Sequence, residues 1–184
     1  SSDRLNHYST EAGMKYFVLG ALASGLYLFG ASYIYGYTGT ASFPGIYEYY
    51  TATGDGDSAI IPVGFLIGLI FVIVAFCFKI SAVPFHMWTP DVYQGSPTII
   101  TAFFASAPKI AGLSLMTWLL LDPFYQLSDQ WSQIIYFVSV ASMLVGSLGA
   151  IMQTNFKRLL AYSSIGHVGF ALIGLVTVEF DGIR

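Results

Sequence analysis

The residues of this chain with the clearest chemistry are two lysines, Lys79 and Lys109, each set in a long apolar run. An ionisable side chain inside a greasy helix is costly and by default marks a functional site. Burial disfavours the charged form of a lysine, and a nearby carboxylate favours it again. A buried lysine whose distance to a carboxylate changes is therefore a site whose proton affinity switches. Arginine is unsuited to this role, because its guanidinium stays charged. For Lys109 the rival reading is a structural cation, bonded to backbone carbonyls freed by Pro108.

Between the two lysines lie Pro84-Phe85-His86-Met87-Trp88 and a turn at Gly95-Ser96-Pro97. His86 follows the helix break at Pro84, and His167 follows Ser163-Ser164. Histidine titrates nearest neutrality, so either can bridge a hydrated proton wire, or serve only as a hydrogen-bonded residue between helices. Tyr162, Ser163, Ser164 and Thr101 can hold ordered water between such groups. Glu11 and Lys15 are spaced i,i+4 and form a possible peripheral charge pair, either an interfacial salt pair or a polar step at a proton entrance. Asp91 reads as a cap or docking contact at the inner interface, and Lys157-Arg158 as anchors at the inner surface.

These residues need long helices to hold them. Of 184 residues, 55% are hydrophobic and only 9% charged, where soluble domains carry about a quarter charged. Such a chain cannot cover itself in polar groups. It reads as a single all-α membrane domain across 1–184 with five transmembrane helices, over about 11–37, 60–82, 98–121, 131–152 and 159–178. The second is broken at Pro84 and continues over 84–95. A broken helix in a membrane belongs where protein or a polar cavity surrounds it. The stretch 38–59, rich in Gly, Pro, Ser and Thr, reads as a loop, with Tyr47, Tyr49 and Tyr50 as an interfacial patch. The lone Cys77 reads as a small buried hydrophobe, and no Cys/His spacing suits a metal.

Counted from Thr98 at 1.5 Å per residue, Lys109 lies ~16 Å along its helix, near the middle of a ~30 Å core. Counted from Ile60, Lys79 lies ~28 Å along, near the far surface, unless the half-helix after Pro84 stays within the protein. Arg4, Lys15, Lys157 and Arg158 fall on one side of five alternating spans. By the positive-inside rule that side is the cytoplasm or matrix. Arg184 alone falls on the other.

The string KISAVPFHMWTPDVYQGSP followed by SAPKIAG closely resembles the antiporter-like membrane subunits of respiratory complex I, of the kind called subunit 2 in mitochondria and subunit N in bacteria. STEAGMKYFVLG, LASGLYLFG, IYGYTG and QTNFKRLLAYSSIGHVGF resemble the same family in order and spacing. The resemblance covers roughly Ser9 to Leu175. It implies inverted helix repeats, with the five segments as family helices six to ten and the Pro84 break as that of the discontinuous seventh. Lys79 and Lys109 then match the seventh- and eighth-helix lysines of the family's proton channel, and Lys79 is expected to be buried. The fifth-helix glutamate and the twelfth-helix lysine have no counterpart in this chain. Glu11 matches a more peripheral glutamate.

The resemblance implies a proton-translocating subunit of NADH:ubiquinone oxidoreductase, driven by quinone reduction elsewhere. Its expected location is the mitochondrial inner membrane, or alternatively a bacterial cytoplasmic membrane. No GxGxxG, P-loop, cysteine cluster or nucleophile elbow is present, so no cofactor is expected in this chain. FMN, iron–sulfur clusters and quinone are expected in other subunits. The expected partners are lipids and other membrane-arm subunits, including a chain that supplies the absent helices if this is a split-gene product. The rival readings are a stand-alone cation/proton antiporter component and a non-pumping scaffold of the membrane arm.

Overall fold

The computed structural model describes residues 7–53 and 61–180, the last three by backbone alone. Arg4, Ile60, Arg184 and the acidic pair Asp55 and Asp57 lie outside the described residues. The described chain is helical: α1 (His7–Thr38), α2 (Phe43–Thr53), α3 (Val63–Ile80), α4 (Thr89–Gly95), α5 (Thr98–Leu121), α6 (Ser128–Ile151) and α7 (Phe156–Phe180), with a 3-10 turn at Tyr125–Leu127 before α6. Five of these helices are long and apolar enough to cross a membrane. The all-α membrane class read from composition is the class observed. At 1.5 Å per residue α1 is ~48 Å long, more than the ~30 Å apolar core it has to cross.

Helix α3 is apolar all round and lies at the centre, where the largest buried cluster gathers. Phe65, Leu69, Ile73 and Ile80 meet Met116 and Leu120 of α5, Trp131 and Ile135 of α6, and Leu172 of α7. Lipid tails are as apolar as leucine, so close contact holds such helices together more than hydrophobicity does. Two crossings show it. On α1 a Cβ added to Gly30 would stand 2.6 Å from the Gly68 carbonyl of α3. On α6 a Cβ at Gly146 would stand 2.5 Å from the Gly166 amide of α7. Ser139 ties the same pair by donating to the Gly169 carbonyl at 2.7 Å.

The stretch 38–59 is not all loop. Residues Phe43–Thr53 form α2, and its Ile46 and Tyr50 are buried against the main cluster. Pro44 and Gly45 suggest a turn. Proline is nonetheless accepted in a first helical turn, and the Ser42 hydroxyl accepts from the Gly45 amide at 3.2 Å as a cap. The Tyr50 and Phe65 rings meet edge-on at 5.4 Å, and Phe43 meets Trp118 at 4.9 Å. Tyr50 faces inward because α2 lies as a lid over the ends of α3 and α5, while Tyr47 stays exposed.

Candidate functional site

Helix α3 ends one residue after Lys79. Ser81 takes the left-handed conformation, φ 65°, and the chain runs without regular helix to Trp88. Several of its backbone groups are nonetheless paired. The Ala82 amide donates to the Cys77 carbonyl at 2.9 Å. The Trp88 indole donates to the Phe78 carbonyl at 3.0 Å. The Val83 amide donates to Ser142 of α6 at 2.9 Å, and Ser142 donates to its own Val138 carbonyl at 2.6 Å. Pro84, placed here as the break, follows a cis peptide bond. Irregular backbone at this depth is thus closed by side chains from two neighbouring elements, as a low-dielectric setting demands.

Lys79 sits in the last turn of α3, where the negative end of the helix dipole favours a cation. Its expected burial is not observed. Lys79 is exposed in this chain, at a cavity of about 70 Å³ lined by Tyr16, Leu19, Trp88, Phe104 and Pro108 among others. Helices α1 and α5 wall this cavity, but no described residue closes it. Pro108 lacks the amide that would bond the Phe104 carbonyl, and both residues face the Lys79 cavity. The break and all of α4 stand between Lys79 and the basic end of the bundle.

Lys109 is buried, with 5% exposure. Its Nζ donates to Ser164 Oγ at 2.7 Å, and Ser164 donates on to the Ala161 carbonyl at 2.9 Å. The Nζ also lies 5.6 Å from the centre of the Tyr93 ring, within cation–π range. The Tyr93 phenol approaches Ser164 without closing a hydrogen bond. Among the described residues no carboxylate lies within salt-bridge reach of Lys109. Lys109 therefore sits among α4, α5 and α7, and Lys79 among α1, α3 and α5. Lys109 is closed in by its neighbours and Lys79 is open, yet the two lie along one side of α5: a Cβ added to Gly112, one turn beyond Lys109, would stand 4.0 Å from the Lys79 Cβ.

The histidines part company. His86 is half-buried in the break, its ring 6.5 Å from that of Tyr162 on α7. Its Nδ1 is buried beside the Pro84 backbone without closing a hydrogen bond. His167 is exposed on α7, one turn beyond Ser164. Five buried side-chain polar atoms among the described residues make no hydrogen bond. Four of them, on Ser81, His86, Thr89 and Tyr93, fall within the break and α4. Native structures leave few such groups unpaired, so this concentration singles out one polar seam.

At the basic end, Glu11 and Lys15 pair at 2.6 Å. Lys15 also reaches Asp91 Oδ2 at 2.6 Å, and Arg158 reaches Asp91 Oδ1 at 2.6 Å. Lys157 donates to the Ser96 carbonyl at 2.7 Å. Burial acts to raise the Asp91 carboxyl, but hydrogen bonds from Lys15 and Arg158 outweigh it and hold it below the usual carboxylate range. Sequence reasoning placed Asp91 and Arg158 near one surface but could not pair them, since 67 residues separate them. It also missed Tyr93 as the ring beneath Lys109. One tyrosine among 13 carries no local signal of which cation it will meet.

A family profile described as "NADH:quinone oxidoreductase/Mrp antiporter, TM" matches residues 2–184. The chain belongs to this family. NADH-quinone oxidoreductase subunit N of Rhodospirillum rubrum is 56% identical over 181 residues, which cover 98% of this chain and 36% of that protein. The subunit N of Paramagnetospirillum magneticum is 53% identical and likewise matched over 37% of its length. The chain thus spans a little over a third of the curated relatives it matches. A chain of respiratory complex I from Thermus thermophilus superposes with a TM-score of 0.71 at 37% identity, covering 91% of this chain and 34% of the other. A chain of the Mrp complex from Dietzia superposes better, at 0.82, but at 24% identity it speaks for the fold alone. The complex I resemblance read from the VPFHMWTPDVYQGSP string is therefore the family found, and the protein is a multi-pass membrane protein.

Proposed function

We propose that this chain is the proton-carrying core of an antiporter-like subunit in the membrane arm of NADH:quinone oxidoreductase. The observation that carries the reading is Lys109. It is a buried lysine in a five-span bundle, held by one serine hydroxyl and one aromatic face, with no described carboxylate to fix its charge. The proton affinity of such a group responds to any charge that approaches or leaves. Lys79, at the carbonyl end of α3, is the second proton-bearing group. The seam of Ser81, His86, Thr89 and Tyr93 provides buried groups that can exchange protons or bind water between the lysines and the basic end. His167, exposed one turn beyond Ser164 on α7, extends the same path if a further helix covers it.

Quinone reduction and the FMN and iron–sulfur chemistry belong to other subunits, and the partners are neighbouring membrane-arm chains and lipid. The relatives are bacterial, which favours a bacterial cytoplasmic membrane over the mitochondrial inner membrane. The Mrp likeness keeps a stand-alone cation/proton antiporter as the second reading.

The test uses membrane vesicles carrying the assembled complex with Lys79→Ala or Lys109→Met. The reading expects fewer protons moved per electron at a normal content of assembled subunit. Unchanged stoichiometry in both variants rejects it and leaves a scaffold.

A further inference from the structure

Lys109 is gripped from two sides. Tyr93, 1% exposed, comes from α4, and Ser164 comes from α7. The long helix α7 is fixed by its packing on α6, but α4 is not fixed by itself. With seven residues, α4 is far too short to hold its shape unaided. It packs on both α1 and α7, and its placement is set by what ties it there.

The ionic tie among them is Asp91. Its two oxygens are divided between Lys15 of α1 and Arg158 of α7, each at 2.6 Å. Arg158 is in turn steadied by Gln94 of α4 at 3.1 Å and Gln153 at 3.2 Å. Asp91 stands two residues before Tyr93 on α4. Arg158 stands six residues before Ser164 on α7, ~9 Å along the same helix. The same two elements that are pinned at Asp91–Arg158 therefore form the two walls around Lys109. The Thr101 hydroxyl donates to the Tyr93 carbonyl at 3.2 Å and joins α5, which bears Lys109, to the same point.

We infer that Asp91, bridging Lys15 and Arg158, is a positioning residue for Lys109: it sets the separation of α4 and α7, and so of Tyr93 and Ser164. The inference rests on the proton-carrying reading of Lys109. Glu11 of α1 acts at one remove by sharing Lys15 at 2.6 Å, with His7 3.9 Å from Glu11. Lys157 holds the end of α4 through the Ser96 carbonyl and does not touch Asp91.

The experiment places Asp91→Asn, Asp91→Glu, Arg158→Gln and Tyr93→Leu in the assembled complex. It reads subunit content, quinone reduction rate and protons moved per electron in vesicles, with Lys109→Met alongside. Misplacing a reacting group by about 1 Å can cost up to roughly a hundredfold. The expected result is a fall of about tenfold or more in proton transfer for Asp91→Asn at normal subunit content. Asp91→Glu restores transfer, because it keeps the bridge. Adding Tyr93→Leu to Asp91→Asn lowers it no further, because both act on the same contact.

Wild-type proton stoichiometry in assembled Asp91→Asn and Arg158→Gln overturns the inference. So does loss of the subunit in both variants, which makes the bridge a folding clamp only. If Lys109→Met lowers the stoichiometry while Asp91→Asn does not, the positioning role alone fails. If Lys109→Met changes nothing, the proton reading fails and takes the inference with it.

Discussion

Replacing Ser142 by alanine tests how the break after Lys79 is held. Ser142 is fully buried on α6. It accepts the Val83 amide at 2.9 Å, the hydrogen bond by which α6 closes the irregular backbone. Ser142→Ala removes that acceptor and offers nothing in its place, since no other side chain is paired with Val83. A buried donor left unpaired costs ~1–3 kcal/mol. The Val138 carbonyl loses only its second bond, having its helical one as well, so it adds little. If the loss is expressed wholly in the rate of unfolding, it speeds unfolding by roughly 5- to 150-fold. The assay is the half-life of the folded subunit in the solubilised complex at a fixed elevated temperature. Ser147→Ala is the control. Ser147 lies on the same helix, is exposed, and bonds only within its own helix, to the Met143 carbonyl at 2.7 Å and the Leu144 carbonyl at 3.1 Å. A surface change of that kind moves stability by about 0.5 kcal/mol or less. Equal half-lives for Ser142→Ala and Ser147→Ala would refute the reasoning.

Three further outcomes follow from the same structure. Gly146→Ala, whose Cβ would press on the Gly166 amide at 2.5 Å, should destabilise the α6–α7 pair by about 1–3 kcal/mol. Gly166→Ala, which meets nothing within 4 Å, should not, and thermal inactivation of the two variants checks the contrast. The Asp91 carboxyl is held low in the folded protein. Its stabilising contribution is therefore present above the unfolded value of about 3.9 and disappears as pH falls through the lower folded value. Thermal scans from neutral into acid should show wild type converging on Asp91→Asn only below about pH 4. Trp88→Phe keeps the ring in the cluster with Ala23, Phe78 and Val92 but removes the 3.0 Å bond to the Phe78 carbonyl. It should lower stability by about 1 kcal/mol, read as the midpoint of inactivation.

The fold was legible because lipid leaves few options. Apolar runs of about 20 residues bounded by polar turns are helices that span, and α5 runs from Thr98 to Leu121 as its composition indicates. The break was legible too, since Pro84 has no amide to donate and its ring clashes one turn back. Helix α2 was not, because Pro44 and Gly45 signal a turn when read locally, while the pockets for Ile46 and Tyr50 come from α3 and α5. Of the site, the two lysines stood out by cost alone. Their different surroundings, Lys109 closed in by α4 and α7 and Lys79 open beside α1, did not, because they depend on which helix faces which. His86 and His167 look alike in the sequence. The fold buries one in the break and leaves the other on an open face. The four-residue bridge of Glu11, Lys15, Asp91 and Arg158 joins three helices, and no window of sequence contains it.

The central claim is that Lys109 gives up and regains a proton, and Lys109→Arg tests it most directly when set beside Lys109→Met. Arginine keeps a permanent charge that can still bond Ser164 and stack on Tyr93. The measurement is protons moved per electron in sealed vesicles at matched subunit content. The account predicts that Lys109→Arg loses proton transfer as fully as Lys109→Met does. Normal stoichiometry in Lys109→Arg with loss in Lys109→Met would contradict it, and would make Lys109 a fixed structural cation.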